Sequence, residues 1–170
     1  TDSAGNASSA LSVNTFVGDT TAPSLSQVIA VTTPTKDPTP DYSFSSDEAG
    51  TISYVGCSPG GTSAISGTNS ISFGALSDAS YSNCSITVTD SAGNASSALS
   101  VNTFVVDTTA PTVSSISSST SNGAYKLNDN ITVLVTFNDN VIVDNSSGNP
   151  RIQLETGSND RYANYFSGNS

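Results

Sequence analysis

The sequence predicts an all-β fold of tandem antiparallel β-sandwiches, one complete and two partial. Three observations lead there. About a third of the residues are Ser or Thr, whereas the good helix formers Lys, Arg, Gln, Met and Leu are scarce. Apolar and polar residues alternate over short runs, punctuated by Gly, Pro and Asn, which is the period of a half-buried strand. A long segment also occurs twice, as expected of a repeat array.

That segment is TDSAGNASSALSVNTFVGDTTAP at residues 1–23 and TDSAGNASSALSVNTFVVDTTAP at residues 89–111. Only Gly18 versus Val106 differs, so chance is excluded and recent duplication is implied. The offset of 88 residues, Thr1 to Thr89, is about the size of one immunoglobulin-like sandwich domain. The shared DTTAP reads as a short hinge, because Pro stops a continuing ladder. The expected organisation is then residues 1–22 as the last strands of a preceding repeat, 23–110 as a complete domain, and 111–170 as the first part of a following one. With Thr at position 1, the chain is expected to be a piece of a longer protein.

Within 23–110 the first expected strand is Ser26–Val31, followed by a Pro-rich connection, Thr32–Pro40, that no helix could use. Asp41–Ser45 turns Tyr42 and Phe44 inward, and Thr51–Cys57 places Ile52 and Tyr54 on one face. The stretch SPGGTSAISG reads as loop. Asn69–Phe73 then presents Ile71 and Phe73, and Ser80–Thr89 presents Cys84, Ile86 and Val88. In Ala95–Val106 the parity slips between Leu99 and Val101 and then Phe104 and Val106, so a bulge is expected near Asn102. After Pro111 the expected strands are Val113–Ser119, Asn130–Phe137, Val141–Val143, Arg151–Glu155 and Tyr162–Phe166. Five strands with open edges are marginal alone.

The charge is lopsided. Net charge is −10, with Lys36, Lys126, Arg151 and Arg161 as the only basic residues against 14 acidic ones. Such a surface repels nucleic-acid backbones and anionic headgroups and attracts divalent cations, calcium above all outside a cell. Plain solubilisation explains the same charge. No apolar run is long enough to span a bilayer, so no membrane insertion is expected.

Cys57 and Cys84 are too far apart for a CxxC redox site and too few for a zinc site. A disulfide in an oxidising compartment is the natural reading, and two buried free thiols are the alternative. Catalysis is not expected. The chain has no His, and Asp47 and Glu48, as sequence neighbours, tend to point apart instead of flanking a cleft. The Asn-x-Ser/Thr triplets at Asn6, Asn83, Asn94, Asn130 and Asn145 read as coincidences of an Asn/Ser-rich composition.

The series FSSDEAGTISY, Cys57, ISFGALSDASYSNCSITVTDSAGN and FVVDTTAP resembles the bacterial Ig-like tandem repeats of giant surface proteins and adhesins. The likeness covers residues 1–111. Residues 112–170, with NGAYKLNDNITVLVTFNDNVIV and RIQLETGSNDRYANYFSGN, resemble part of a second surface-protein repeat type. The resemblance implies extracellular display in long arrays, often calcium-dependent, without catalysis. It also implies that the first-strand entry and two loops share one end of each sandwich. Asp19, Asp47, Glu48, Asp90 and Asn94 are then expected at one junction, and Asp107 with Asp139 and Asn138 or Asn140 at the next. For Asp90 and Asp2 a tight DSAGN turn is the preferred reading over metal ligation. Tyr81 reads as a corner bonding back to the backbone or as a core plug.

The leading expectation is a non-enzymatic extracellular stalk or fibre on a bacterial cell surface, its partners being further copies or flanking repeats. The rival is a filament subunit in which residues 1–22 of one chain complete residues 111–170 of another by strand addition. A carbohydrate- or ice-binding face ranks below both, since Tyr42, Tyr54 and Tyr81 read as core or corner and not as an exposed platform.

Overall fold

The computed structural model describes residues 1–126, 128–156 and 160–168. Among them every regular element is a β-strand and no helix occurs. The chain divides into two compact units, residues 1–108 and 109–170.

In the first unit the strands are β1 (Leu25–Ile29), β2 (Asp41–Ser46), β3 (Gly50–Val55), β4 (Ser63–Ala64), β5 (Gly67–Ser72), β6 (Ala79–Tyr81), β7 (Ser85–Thr89), β8 (Leu99–Ser100) and β9 (Phe104–Val106). They form three antiparallel sheets, ordered β1-β2-β5, β4-β3-β7-β8 and β6-β9. Tyr42 and Phe44 of β2 are fully buried, as their alternation requires, and so is Val88 of β7. All three sheets contribute to one core, which also holds Val31, Ile52, Ile71, Phe73, Ile86, Val101, Phe104 and Val106. Phe73 is its hub: its ring lies 6.1 Å from Tyr42 and 6.0 Å from Phe104. Each such large side chain contributes about 1.5–3 kcal/mol by leaving water.

Two expected strands are each divided. Ser80–Thr89 separates into β6 and β7, and Ala95–Val106 into β8 and β9. The slip at Asn102 is more than a bulge. Before it the chain pairs with β7, after it with β6, so the chain changes sheets there. The Asn102 amide holds the crossing, accepting from Val31 N at 2.8 Å and donating to Val31 O at 2.9 Å. The loop after Cys57 also holds the short β4, paired to the start of β3.

Cys57 and Cys84 are joined in a disulfide. They flank the paired ends of β3 and β7, at Val55 and Ser85. The hydroxyl of Tyr81 donates to Ser77 O at 3.0 Å, the backward corner bond the sequence suggested, while its ring stacks 5.2 Å from Phe104.

Residues 1–22 are exposed throughout and pair in no ladder among the described residues. The side chains of Leu11, Val13, Phe16 and Val17 are 83–94% exposed.

The second unit contains β10 (Val113–Ser118) paired to β11 (Val133–Phe137), and β12 (Arg151–Leu154) paired to β13 (Arg161–Asn164). Val141–Val143 alternates as a strand should, yet it has no strand assignment. Alternation describes a side-chain pattern, and a strand also needs a ladder partner. No described residue of this unit is fully buried. Val133, Val135, Phe137, Ile152 and Leu154 make a one-sided apolar face that is half-covered, and Ile131 lies outside it.

Candidate functional site

The candidate site belongs to the first unit and is built from three loops. The DSAGN turn follows β7. Asp90 accepts from Ala92 N and Asn94 N at 2.8 Å through Oδ1, and from Asn94 Nδ2 at 2.8 Å through Oδ2. Gly93 takes φ +95°, in the left-handed region that an L side chain resists. The turn is therefore closed by its own residues, as the preferred reading of Asp90 required. Residues 2–6 repeat the same closure, with Asp2 Oδ1 accepting from Ala4 N and Asn6 N at 2.9 Å.

The Asn94 amide reaches one step further, donating to Asp19 O at 3.2 Å and tying the DTTAP hinge to the turn. Asp19 Oδ1 in turn accepts from Thr21 N at 3.0 Å. The β2–β3 turn brings the third carboxylate, Glu48, whose carbonyl accepts from Ser46 Oγ at 2.6 Å. This turn can approach only because residue 50 is Gly. A Cβ there would meet Thr89 O at 2.3 Å.

As a result, carboxylate oxygens of Asp19, Glu48 and Asp90 lie within 4.8 Å of one another. Electrostatics responds as expected for clustered acids. Partial burial, followed by the charges of Asp19, Asp90 and Asp47, holds the Glu48 carboxyl above its usual range. Hydrogen bonds from the Asn94 side chain, followed by backbone N–H groups, hold Asp90 below its own.

The cluster can be tested against a cation by size and donor type. Two oxygens bound to one calcium at about 2.4 Å can stand at most about 4.8 Å apart. The three carboxylates meet that limit and offer only hard oxygen donors. Calcium fits them in charge and spacing, with the other donors that a six- to eight-coordinate ion needs left to water.

Asp47 does not join them. Its Oδ1 accepts from Ser24 N at 2.6 Å, and its own N donates to Ser24 O, clipping the entry of β1. Asn94 takes part through its amide as a donor, bridging Asp90 and Asp19. In the expected second set, Asp107 lies in the first unit, its N donating to Thr35 O at 2.9 Å. Asp139 lies in the second unit and accepts from the adjacent Asn140 N at 2.6 Å. Asn138 has another duty, its Oδ1 accepting from Thr112 N at 2.6 Å and its N donating to Thr112 O at 3.0 Å. Thr112 stands one repeat offset after Ser24, so Asn138 clips the second unit's first strand as Asp47 clips the first's.

Sequence reasoning missed two groups. Asp78 Oδ1 accepts from Thr108 N and Thr108 Oγ1 at 2.9 and 2.7 Å, fastening the chain as it leaves the first unit. Asn69 is buried and bonds Ile65 N and Ile65 O, bracing the loop before β5. The parity Asn69, Ile71, Phe73 was a usable signal for the second.

Compared with protein-family models, curated proteins and solved structures, the chain matches none.

Proposed function

We propose that the chain is part of a non-enzymatic extracellular protein, a stalk or fibre of immunoglobulin-like β-sandwiches strung end to end on a bacterial surface. The observation that carries this reading is the 88-residue duplication. Its second copy completes a unit with one core and one disulfide, which suits a module made to be repeated outside the cell. Partners are then further copies or neighbouring repeats.

In this reading calcium at Asp19, Glu48 and Asp90 stiffens the entry to the unit. It would neutralise three carboxylates that repel one another and lock the hinge residue Asp19 to two loops of the body. Any ligand that binds only the folded form raises stability in proportion to the logarithm of its concentration over Kd. The melting temperature should therefore rise with millimolar calcium and fall again with chelator, and magnesium should do less. A melting curve indifferent to both ends the clamp while leaving the stalk reading standing.

A further inference from the structure

We propose that residues 7–18 are a donor strand, and that their acceptor is the body 24–88 of a second copy of this chain, entered in the register that residues 95–106 occupy. The inference stands on packing alone and needs neither calcium nor a bacterial surface.

The resident segment shows what the slot demands. Ser96 Oγ accepts from Val88 N at 3.0 Å, and Leu99 pairs with Ile86. Val101 N donates to Cys84 O, and Asn102 grips Val31 through both ends of its amide. Phe104 is fully buried against Phe73 and Tyr81. Val105 N donates to Thr33 Oγ1 and its carbonyl accepts from Thr35 N. Residues 7–17 carry the same side chain at every one of these positions: Ser8, Leu11, Val13, Asn14, Phe16 and Val17. Their apolar members lie in water. The segment thus meets every requirement of the slot, up to its last residue.

That last residue decides the competition. Gly18 replaces Val106, which is fully buried. A donated strand leaves the end of the slot unfilled, so the resident strand holds its place until it opens or is disabled.

Topology puts the exchange between copies. Ala95 bridges Thr89 at one pole of the unit, whereas Val101 meets Cys84 past the other end of β7, and Val106 lies beyond it beside Ala79. The entry of β1 is at the first pole, where Asp19 meets Asn94. A donor in its own body would have to return from residue 18 to Leu25 across the unit, with about 25 Å of chain for a slot roughly 36 Å long. In trans the donor leaves the acceptor at the far pole and begins its own body there. That is a head-to-tail contact, which extends instead of closing.

The test uses the full chain with Phe104→Asp, which disables the resident strand, and synthetic peptides of residues 1–18. The wild-type peptide should restore the melting transition. A Gly18→Val peptide should do so at about tenfold lower concentration or less, from the added buried side chain, and a Phe16→Asp peptide should not. Without peptide, F104D should form oligomers that grow with concentration in sedimentation velocity, and F16D/F104D should not. If Val135→Asp in the second unit abolishes those oligomers while F16D leaves them, residues 111–170 are the acceptor and the proposal is overturned.

Should F104D fail to fold with or without peptide, the native fold supplies a second reading. Ser80 pairs with Val105, so a Ser80→Cys chain cycled through mild urea should form a disulfide with a Val17→Cys peptide and not with a Ser9→Cys peptide. Equal yields from both peptides, or none from either, overturn the register.

Discussion

Residues 7–18 and 95–106 differ at one position and live in opposite surroundings. In the second copy Val101, Phe104 and Val106 are buried in the core. In the first, Val13 and Phe16 are more than four-fifths exposed, and no ladder forms. Local propensity is the same in both, so the strand in the second copy comes from its partners: β7 on one side of Asn102, β6 and the Thr33–Thr35 connection on the other. β-Propensity here is a fit to a half-buried surface, and without that surface it yields extended chain.

The largest break in the comparison comes from its aromatic pair. Phe104→Ala should cost about 3–5 kcal/mol, because the ring is fully buried and its neighbours Phe73 and Tyr81 belong to different sheets that cannot both collapse onto the gap. Phe16→Ala should stay within about 0.5 kcal/mol, the usual range for an exposed site. Urea unfolding of both variants measures the contrast. Similar losses would mean that residues 7–18 are packed in solution.

Asn102 and Asn14 make the next contrast. Removing the Asn102 amide strands Val31 N and Val31 O beside the core and should cost about 1–3 kcal/mol. Asn14→Ala should change the unfolding midpoint by nothing measurable.

These contrasts also mark what could be read from sequence. β2, β3 and β5 were legible because Tyr42/Phe44, Ile52/Tyr54 and Ile71/Phe73 alternate without interruption. The change of sheet at Asn102 was visible only as a slip of parity, since parity records which face a residue takes and not which sheet receives it. β4 escaped because its two residues are too few to show a period. Of the carboxylates, Asp19, Glu48 and Asp90 were placed together through the repeat boundary and the two turns. Nothing in DE at residues 47–48 tells which side chain clips Ser24 and which faces the hinge, because that depends on how β1 enters. In the second unit Val141–Val143 carried the right pattern, and what was missing is a neighbour to pair with.

Asp90 and Asp2 give a smaller and pH-dependent contrast. Both carboxyls are held below their usual range by the Asn four residues on and by nearby N–H groups. A depressed folded value contributes stability above the unfolded pKa, and that contribution is lost as pH falls through the acid range below it. Asp90 closes a turn next to the β7–Ala95 bridge, so the contribution enters global unfolding. The loop at Asp2 opens and closes by itself. Asp90→Asn should therefore flatten the acid limb of a melting-temperature profile, and Asp2→Asn should leave it unchanged.

Glu48 supplies the opposite sign and the smallest effect. Its carboxyl is held high by burial and by Asp19, Asp90 and Asp47, so folding favours the protonated form. Stability from this group is present below the unfolded carboxyl pKa and is lost as pH rises through the raised folded value. At neutral pH the ionised Glu48 opposes the fold, and Glu48→Gln should raise the melting temperature in chelator. At pH values below the carboxyl range the variant and the wild type should coincide. In millimolar calcium the order should shrink or reverse, because the cation relieves the wild-type repulsion and the amide has given up one ligand charge. If E48Q is no more stable than wild type at neutral pH in chelator, the three carboxylates do not repel one another in solution. The hinge at Asp19 would then be held by Asn94 alone.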